Sequence, residues 1–204
     1  MSDIPTPKAK GPSWPGGRRG SRGPTRREGH SPFSPAERLV ARFRSLPSGS
    51  DDKVRIVAAL EDAVADPAVA AFLASVVADP AEDELARVEC ATVLRLSPPA
   101  DPAAKREVAD ALLAAFADRD EDLVRQHVAM AFGPYADDPA VHRALAAALG
   151  EHEGDPLVPD NALFAVRQAG PSAQRADLVR TLLHHPELGG EAGRILDDWG
   201  VPRT

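Results

Sequence analysis

Residues 101–132 read DPAAKREVADALLAAFADRDEDLVRQHVAMAF and contain two amphipathic segments separated by a charged break. The first segment repeats apolar residues at the spacing of one helix face, at Val108, Leu112, Leu113 and Phe116. The second segment does the same at Val124, Val128, Ala131 and Phe132. The break, DRDED, supplies turn residues and negative charges suited to the first turn of a helix. The stretch therefore predicts two antiparallel helices joined by a short loop.

The start of this hairpin, Asp101-Pro102, recurs along the chain. A capping residue followed by proline satisfies an orphan amide and places proline where its missing N–H costs nothing. Similar starts are Ser34-Pro35, Asp66-Pro67, Asp138-Pro139 and, in a looser form, Gly170-Pro171-Ser172. The prolines of these five starts are 32, 35, 37 and 32 residues apart, which predicts five consecutive helical hairpins.

Composition and stacking give the predicted fold class. Aromatic residues make up only 4% of the chain, and alanine and leucine, which favour helices, are abundant. A single hairpin cannot bury both of its apolar faces, so consecutive hairpins must cover one another. We predict an all-α fold, an α-α superhelix or α-solenoid of about five hairpins over residues 34–200.

Three second helices open with a turn aspartate, then Val-Arg or Ala-Arg, then small apolar residues. They are DDKVRIVAAL from Asp51, DELARVECATVL from Asp83 and DEDLVRQHVAMAFG from Asp120. This pattern resembles HEAT repeats, and the chain is identified as a bacterial HEAT-like domain of the armadillo type. The resemblance implies a structural ladder of bonds between successive hairpins, with members at Arg55, Arg87, Arg125, Asp79 and Asp118. Pro159 and Gly189 replace the arginine later on, so the ladder is expected to end after the third hairpin.

Residues 1–33 form a tail rich in glycine, proline and arginine, which we predict to be disordered because it has little to bury. Residues 1–30 carry seven basic and two acidic side chains, so +5 of the net −7 lies here and −12 on the rest. The tail is open to three interpretations: contact with nucleic-acid phosphates, a solvated leader or overextended translation start, or folding back on the acidic body. The arginines available for nucleic acid are Arg18, Arg19, Arg22, Arg26 and Arg27.

Candidate chemical sites are few. Cys90 is the only cysteine, so it can form neither an internal disulfide nor a cysteine-based zinc site. The pair His152-Glu153 lacks the further ligands that a metal needs, and His184-His185 suits a helix end. We expect no catalytic, cofactor or metal site. No apolar run is long enough for a membrane span and no secretory signal is visible, so cytoplasmic localisation is the expectation.

The second helices of a solenoid usually line its concave face. The residues expected to be available to a partner there are Gln126, His127, Asp160, Asn161, Arg167, Glu191 and Arg194. The face is mildly acidic, which either steers a basic partner or only keeps the protein soluble. The predicted function is a non-enzymatic protein-binding adaptor or inhibitor. Nucleic-acid binding through the tail is the alternative, and a lyase or metal-dependent enzyme of the HEAT-like classes is the least favoured.

Overall fold

A computed structural model of the protein describes residues 33–151 and 154–204. The predicted tail before Phe33 and the pair His152-Glu153 lie outside these residues. The described part contains ten α-helices and no strand, which confirms the all-α prediction there. No helix in this part is both long and apolar enough to cross a membrane.

The helices follow one another with short connections. In order they are α1 (Pro35–Ser45), α2 (Asp51–Ala59), α3 (Pro67–Ala78), α4 (Glu84–Leu96), α5 (Pro102–Ala117), α6 (Asp122–Ala131), α7 (Pro139–Leu149), α8 (Leu157–Ala169), α9 (Ala173–Thr181) and α10 (Gly189–Asp198). Two short 3₁₀ turns follow α2 and α6, at Glu61–Ala63 and Gly133–Tyr135.

The predicted helix starts are confirmed at the first four sites. Ser34, Asp66, Asp101 and Asp138 are N-caps, and each following proline is the first helical residue. The fifth predicted start differs, because α9 begins at Ala173, two residues after Pro171. Ser172 is the N-cap there, because its hydroxyl accepts the amide of Arg175 at 3.2 Å, and Pro171 precedes the helix.

The helices form two layers. The odd-numbered helices α1, α3, α5 and α7 pack against one another in order, and so do the even-numbered helices α2, α4, α6 and α8. Each odd-numbered helix also packs on the even-numbered helix that follows it, and α9 packs on α10 in this way. The apolar core lies between the layers, because each helix buries its apolar stripe toward the other layer.

Large side chains fix the centre of the core. Phe132 is fully buried, and its ring meets the edge of Phe116 with 5.3 Å between the ring centroids. Tyr135 is also buried, and its hydroxyl donates to the carbonyl of Leu94 at 2.8 Å. This hydrogen bond ties the turn after α6 to the end of α4. Cys90 is buried in the same core, and burial raises the pKa of its thiol.

Candidate functional site

Three buried cations on the even-numbered helices link successive hairpins, and we call Lys53, Arg87 and Arg125 the cation ladder. The Lys53 ammonium lies 2.5 Å from a carboxylate oxygen of Glu82. Arg125 donates to Glu151 at 2.9 Å, and the nearest guanidinium nitrogen of Arg87 lies 3.6 Å from a carboxylate oxygen of Glu121. Each carboxylate belongs to the hairpin after the one that supplies the cation, so the ladder holds neighbouring hairpins in register.

The two arginines also close the hairpin that carries them. Arg87 donates through Nε to the carbonyl of Val77 at 3.1 Å, and Arg125 donates through Nε to the carbonyl of Phe116 at 3.3 Å. These carbonyls lie in the last turns of α3 and α5, where no intrahelical amide is available to them. One side chain therefore satisfies an orphan carbonyl in its own hairpin and faces a carboxylate in the next.

The prediction that Arg55 joins the ladder is wrong. Its side chain is 78% exposed and pairs with Asp52 on the same helix at 3.2 Å. The helix α2 instead buries Lys53, Ile56 and Val57. The Val-Arg motif therefore points to the wrong residue of α2. The buried cation is Lys53, two residues before Arg55.

The predicted aspartates do not belong to the ladder either. Asp79 and Asp118 are the C-caps of α3 and α5. Their carboxylates accept the amides of Ala81 at 2.9 Å and Asp120 at 3.2 Å, two residues further along the chain. This is the local bonding by which aspartate forms a turn, so their role is to shape the loops.

The pKa of Glu82 is the clearest electrostatic signature of the ladder. Burial by itself raises this pKa, but hydrogen bonds from Lys53, the Asp83 amide and the Ser48 hydroxyl outweigh burial. Together they hold the pKa of Glu82 below its ordinary value of 4.5. A carboxyl group with a lowered folded-state pKa stabilises the fold above its unfolded-state pKa, and this stabilisation is lost as pH falls through the folded-state pKa.

We expect Glu82→Gln to cost stability at neutral pH and to cost progressively less below pH 4.5. The measurement is the free energy of unfolding by urea for wild type and variant between about pH 3.5 and 7. Glu107→Gln, at an exposed position on α5, is the control and should show no such trend. A Glu82→Gln effect that stays constant down to about pH 3.5 would contradict the ion pair.

The exposed side of the even-numbered helices, here the even-helix face, displays large apolar side chains. Leu85 on α4 is 53% exposed, and Leu157 and Phe164 on α8 are 49% and 45% exposed. Leu85 follows helical spacing with Val88, but the structure turns it outward because Ala86 and Arg87 face the core. Leu157 holds the same position relative to the buried residues of α8 as Leu85 does in α4. The exposed leucines therefore recur in register.

Several of the predicted face residues fasten neighbouring helices together. The Gln126 side chain donates to Asp155, and its backbone carbonyl accepts from Asn161 at 3.1 Å. His127 is half-buried, and its pKa is lowered by burial and by the charge of Arg95, against an opposing effect of Glu89. The structure thus ties Gln126 and Asn161 into the α6–α8 contact.

A charge network joins α8 to α10. Arg167 donates to Glu191 at 2.8 Å and to Asp198 at 3.0 Å, and Arg194 lies 2.6 Å from the other oxygen of Glu191. Asp160 is exposed, and it makes no ion pair within the described residues. Of the predicted face residues on α8 and α10, only Asp160 and Asn161 thus lie outside this network in the described part.

No group of three or more histidine, cysteine, aspartate or glutamate side chains in residues 33–151 and 154–204 is arranged to hold a metal ion. Comparisons of the chain with protein-family models, with curated proteins and with solved structures give no match.

Proposed function

We propose that residues 34–200 form a HEAT-like α-solenoid that acts as a non-enzymatic protein-binding module, an adaptor or inhibitor, through its even-helix face. The observation that carries this proposal is the outward display of Leu85, Leu157 and Phe164. Single exposed apolar residues are ordinary on protein surfaces, but several large apolar side chains exposed on one helix layer favour a contact surface. A partner that covers them removes apolar area from water, which is the main favourable term in association.

The charges beside these residues favour a basic partner. Glu84, Glu89, Asp122 and Asp160 lie on α4, α6 and α8, and none of them forms an ion pair within the described residues. Arg95 is the one cation on these three helices that likewise has no ion pair there. A surplus of carboxylates around an apolar surface speeds encounter with a positively charged partner and disfavours an acidic one.

We expect the full-length protein to capture a partner from the cells that make it, and Leu157→Ser/Phe164→Ser to reduce that capture about tenfold. Both side chains are exposed, so the variant should fold as the wild type does. Phe33→Ser is the matched control, because Phe33 is 60% exposed and precedes α1. Partner recovery is measured by quantitative mass spectrometry. Equal recovery with the double variant and the control would contradict binding through this face.

A further inference from the structure

The last part of the even-helix face is built differently from its middle. The helices α2, α4, α6 and α8 pack directly on one another, whereas α10 packs chiefly on α9. A cleft of about 220 Å³ lies between α8 and α10, and we call it the α8–α10 cleft. Its lining includes Leu163, Phe164, Leu188 and Ile195, with Asp160 and Glu187 at the polar side. A second hollow of about 380 Å³ shares Asp160, Glu187 and Leu188 with it, so the two adjoin.

The cation ladder has a gap beside this cleft. Pro159 is buried in α8 and holds the position that Arg125 holds in α6. In each helix the preceding residue is a buried valine, and a pair of buried apolar residues begins three positions later. Proline carries no charge, so α8 has no buried cation at the ladder position to offer to the following hairpin. Glu187, which belongs to that hairpin, makes no ion pair within the described residues. The cleft therefore contains two carboxylates, Asp160 and Glu187, without a counter-charge in the described part.

The one arginine that lines the cleft is already engaged. Arg167 directs its two terminal nitrogens to Glu191 and Asp198, at 2.8 and 3.0 Å. Reaching Asp160 or Glu187 would require it to break these contacts. The remaining lining is apolar: Phe164 is 45% exposed, while Leu188 and Ile195 are buried at 4% and 0%. Two chemically distinct features thus meet in one small cleft, the exposed Phe164 ring over buried leucine and isoleucine side chains and a pair of carboxylates.

We infer that the α8–α10 cleft anchors a basic amphipathic helix of the partner protein, an inference that rests on the proposed function. The helix inserts one large apolar side chain against Phe164 and Leu188 and places a lysine or arginine beside Asp160 and Glu187. Residues three or four apart on a helix point the same way, so one helix face can present both groups. The partner's cation then forms the ion pair that the protein itself lacks here, because Pro159 stands at the ladder position of α8.

The test uses the full-length protein and a fluorescein-labelled peptide of about 18 residues, built from leucine and lysine at amphipathic spacing. A leucine–glutamate peptide with the same spacing is the comparison, and a scrambled leucine–lysine peptide removes the amphipathic face. Dissociation constants come from fluorescence anisotropy. We expect the basic amphipathic peptide to bind at least about tenfold more tightly than either of the others, and its affinity to fall with added salt.

Two variants act on the cleft by different routes. Asp160→Asn/Glu187→Gln removes the charges without changing side-chain size, and Pro159→Arg supplies a cation from the protein itself. Each is expected to weaken binding of the basic peptide about tenfold. Glu107→Gln/Asp110→Asn is the matched control, because both are exposed acids on α5. Helicity by circular dichroism and the urea midpoint show whether each variant is folded.

The possible outcomes separate this inference from the proposed function. A loss of affinity in Asp160→Asn/Glu187→Gln with the control unchanged supports the inference. Equal binding of the acidic peptide, unchanged binding in that charge variant, or no binding of the basic peptide overturns it. If the cellular partner is lost with Leu157→Ser/Phe164→Ser but kept by Asp160→Asn/Glu187→Gln, the inference fails while the proposed function stands.

Discussion

Replacing Phe132 with alanine is expected to lower the free energy of unfolding by about 3–5 kcal/mol. The side chain is fully buried at the end of α6, and its ring packs edge-on against Phe116. Truncation loses both the transfer free energy of the ring and the aromatic contact, and it leaves a cavity between tightly packed alanine-rich helices. The measurement is urea denaturation followed by circular dichroism, with the slope of the transition checked for constancy.

Phe164→Ala is the matched control for this prediction. It is the same substitution on α8, but at a side chain that is 45% exposed on the even-helix face. Its cost should be below about 1 kcal/mol, because half-exposed groups lose little on truncation. A loss under about 1 kcal/mol for Phe132→Ala, or equal losses for the two variants, would show that Phe132 does not hold the layers together.

Arg125→Ala is expected to cost about 3–5 kcal/mol, the range found when one partner of a buried ion pair is removed. The variant leaves the Glu151 carboxylate, whose side chain is 12% exposed, without its buried partner. It also removes the Nε donor to the Phe116 carbonyl and the guanidinium that lies 5.0 Å from the centre of the Phe116 ring. Chemical denaturation at neutral pH measures the loss. Arg119, which also contacts Glu151, is 73% exposed and offers only weak compensation.

Arg55→Ala is the control for the ladder, because the sequence pattern makes it the counterpart of Arg125. Its side chain is 78% exposed and its partner Asp52 lies on the same helix, so the change should stay within about 0.5 kcal/mol. Lys53→Ala should instead destabilise strongly, since Lys53 and Glu82 are both largely buried. Comparable costs for Arg55→Ala and Arg125→Ala would restore Arg55 to the ladder.

The helices themselves could be predicted from the sequence, because their signals are local. A capping side chain, a proline at the first helical position and apolar residues three or four apart act within one turn or two of the chain. The starts at Pro35, Pro67, Pro102 and Pro139 therefore match the structure residue for residue. Whether the layers wind into a superhelix depends on small rotations between hairpins, which no local signal specifies.

The members of the ladder were harder to predict, because the choice between two registers of α2 depends on packing. Val54 and Ile56 are both apolar, so the sequence allows either to face the core. The structure buries Ile56, which brings Lys53 inward and turns Arg55 outward. A lysine in a buried pair is uncommon, since charged side chains are rarely buried unless they are paired, and the pairing with Glu82 is not visible from sequence spacing.

The exposed residues of the even-helix face are equally hard to predict from sequence spacing. Leu85 follows helical spacing with Val88, so spacing alone favours the core for both, yet Leu85 is 53% exposed. The buried side of α4 is formed instead by Ala86, Arg87, Cys90, Ala91, Val93 and Leu94.

Each rung of the cation ladder joins neighbouring hairpins, so its two partners are separated by about one hairpin length of chain. Lys53 and Glu82 are 29 residues apart, and Arg125 and Glu151 are 26 apart. Short sequence separation between contacting residues is the property that correlates with rapid folding. Both partners of the rung that joins the first two hairpins, Lys53 and Glu82, are synthesised before the residues of α10. The chain is thus suited to fold progressively from its N-terminal hairpins while it emerges from the ribosome.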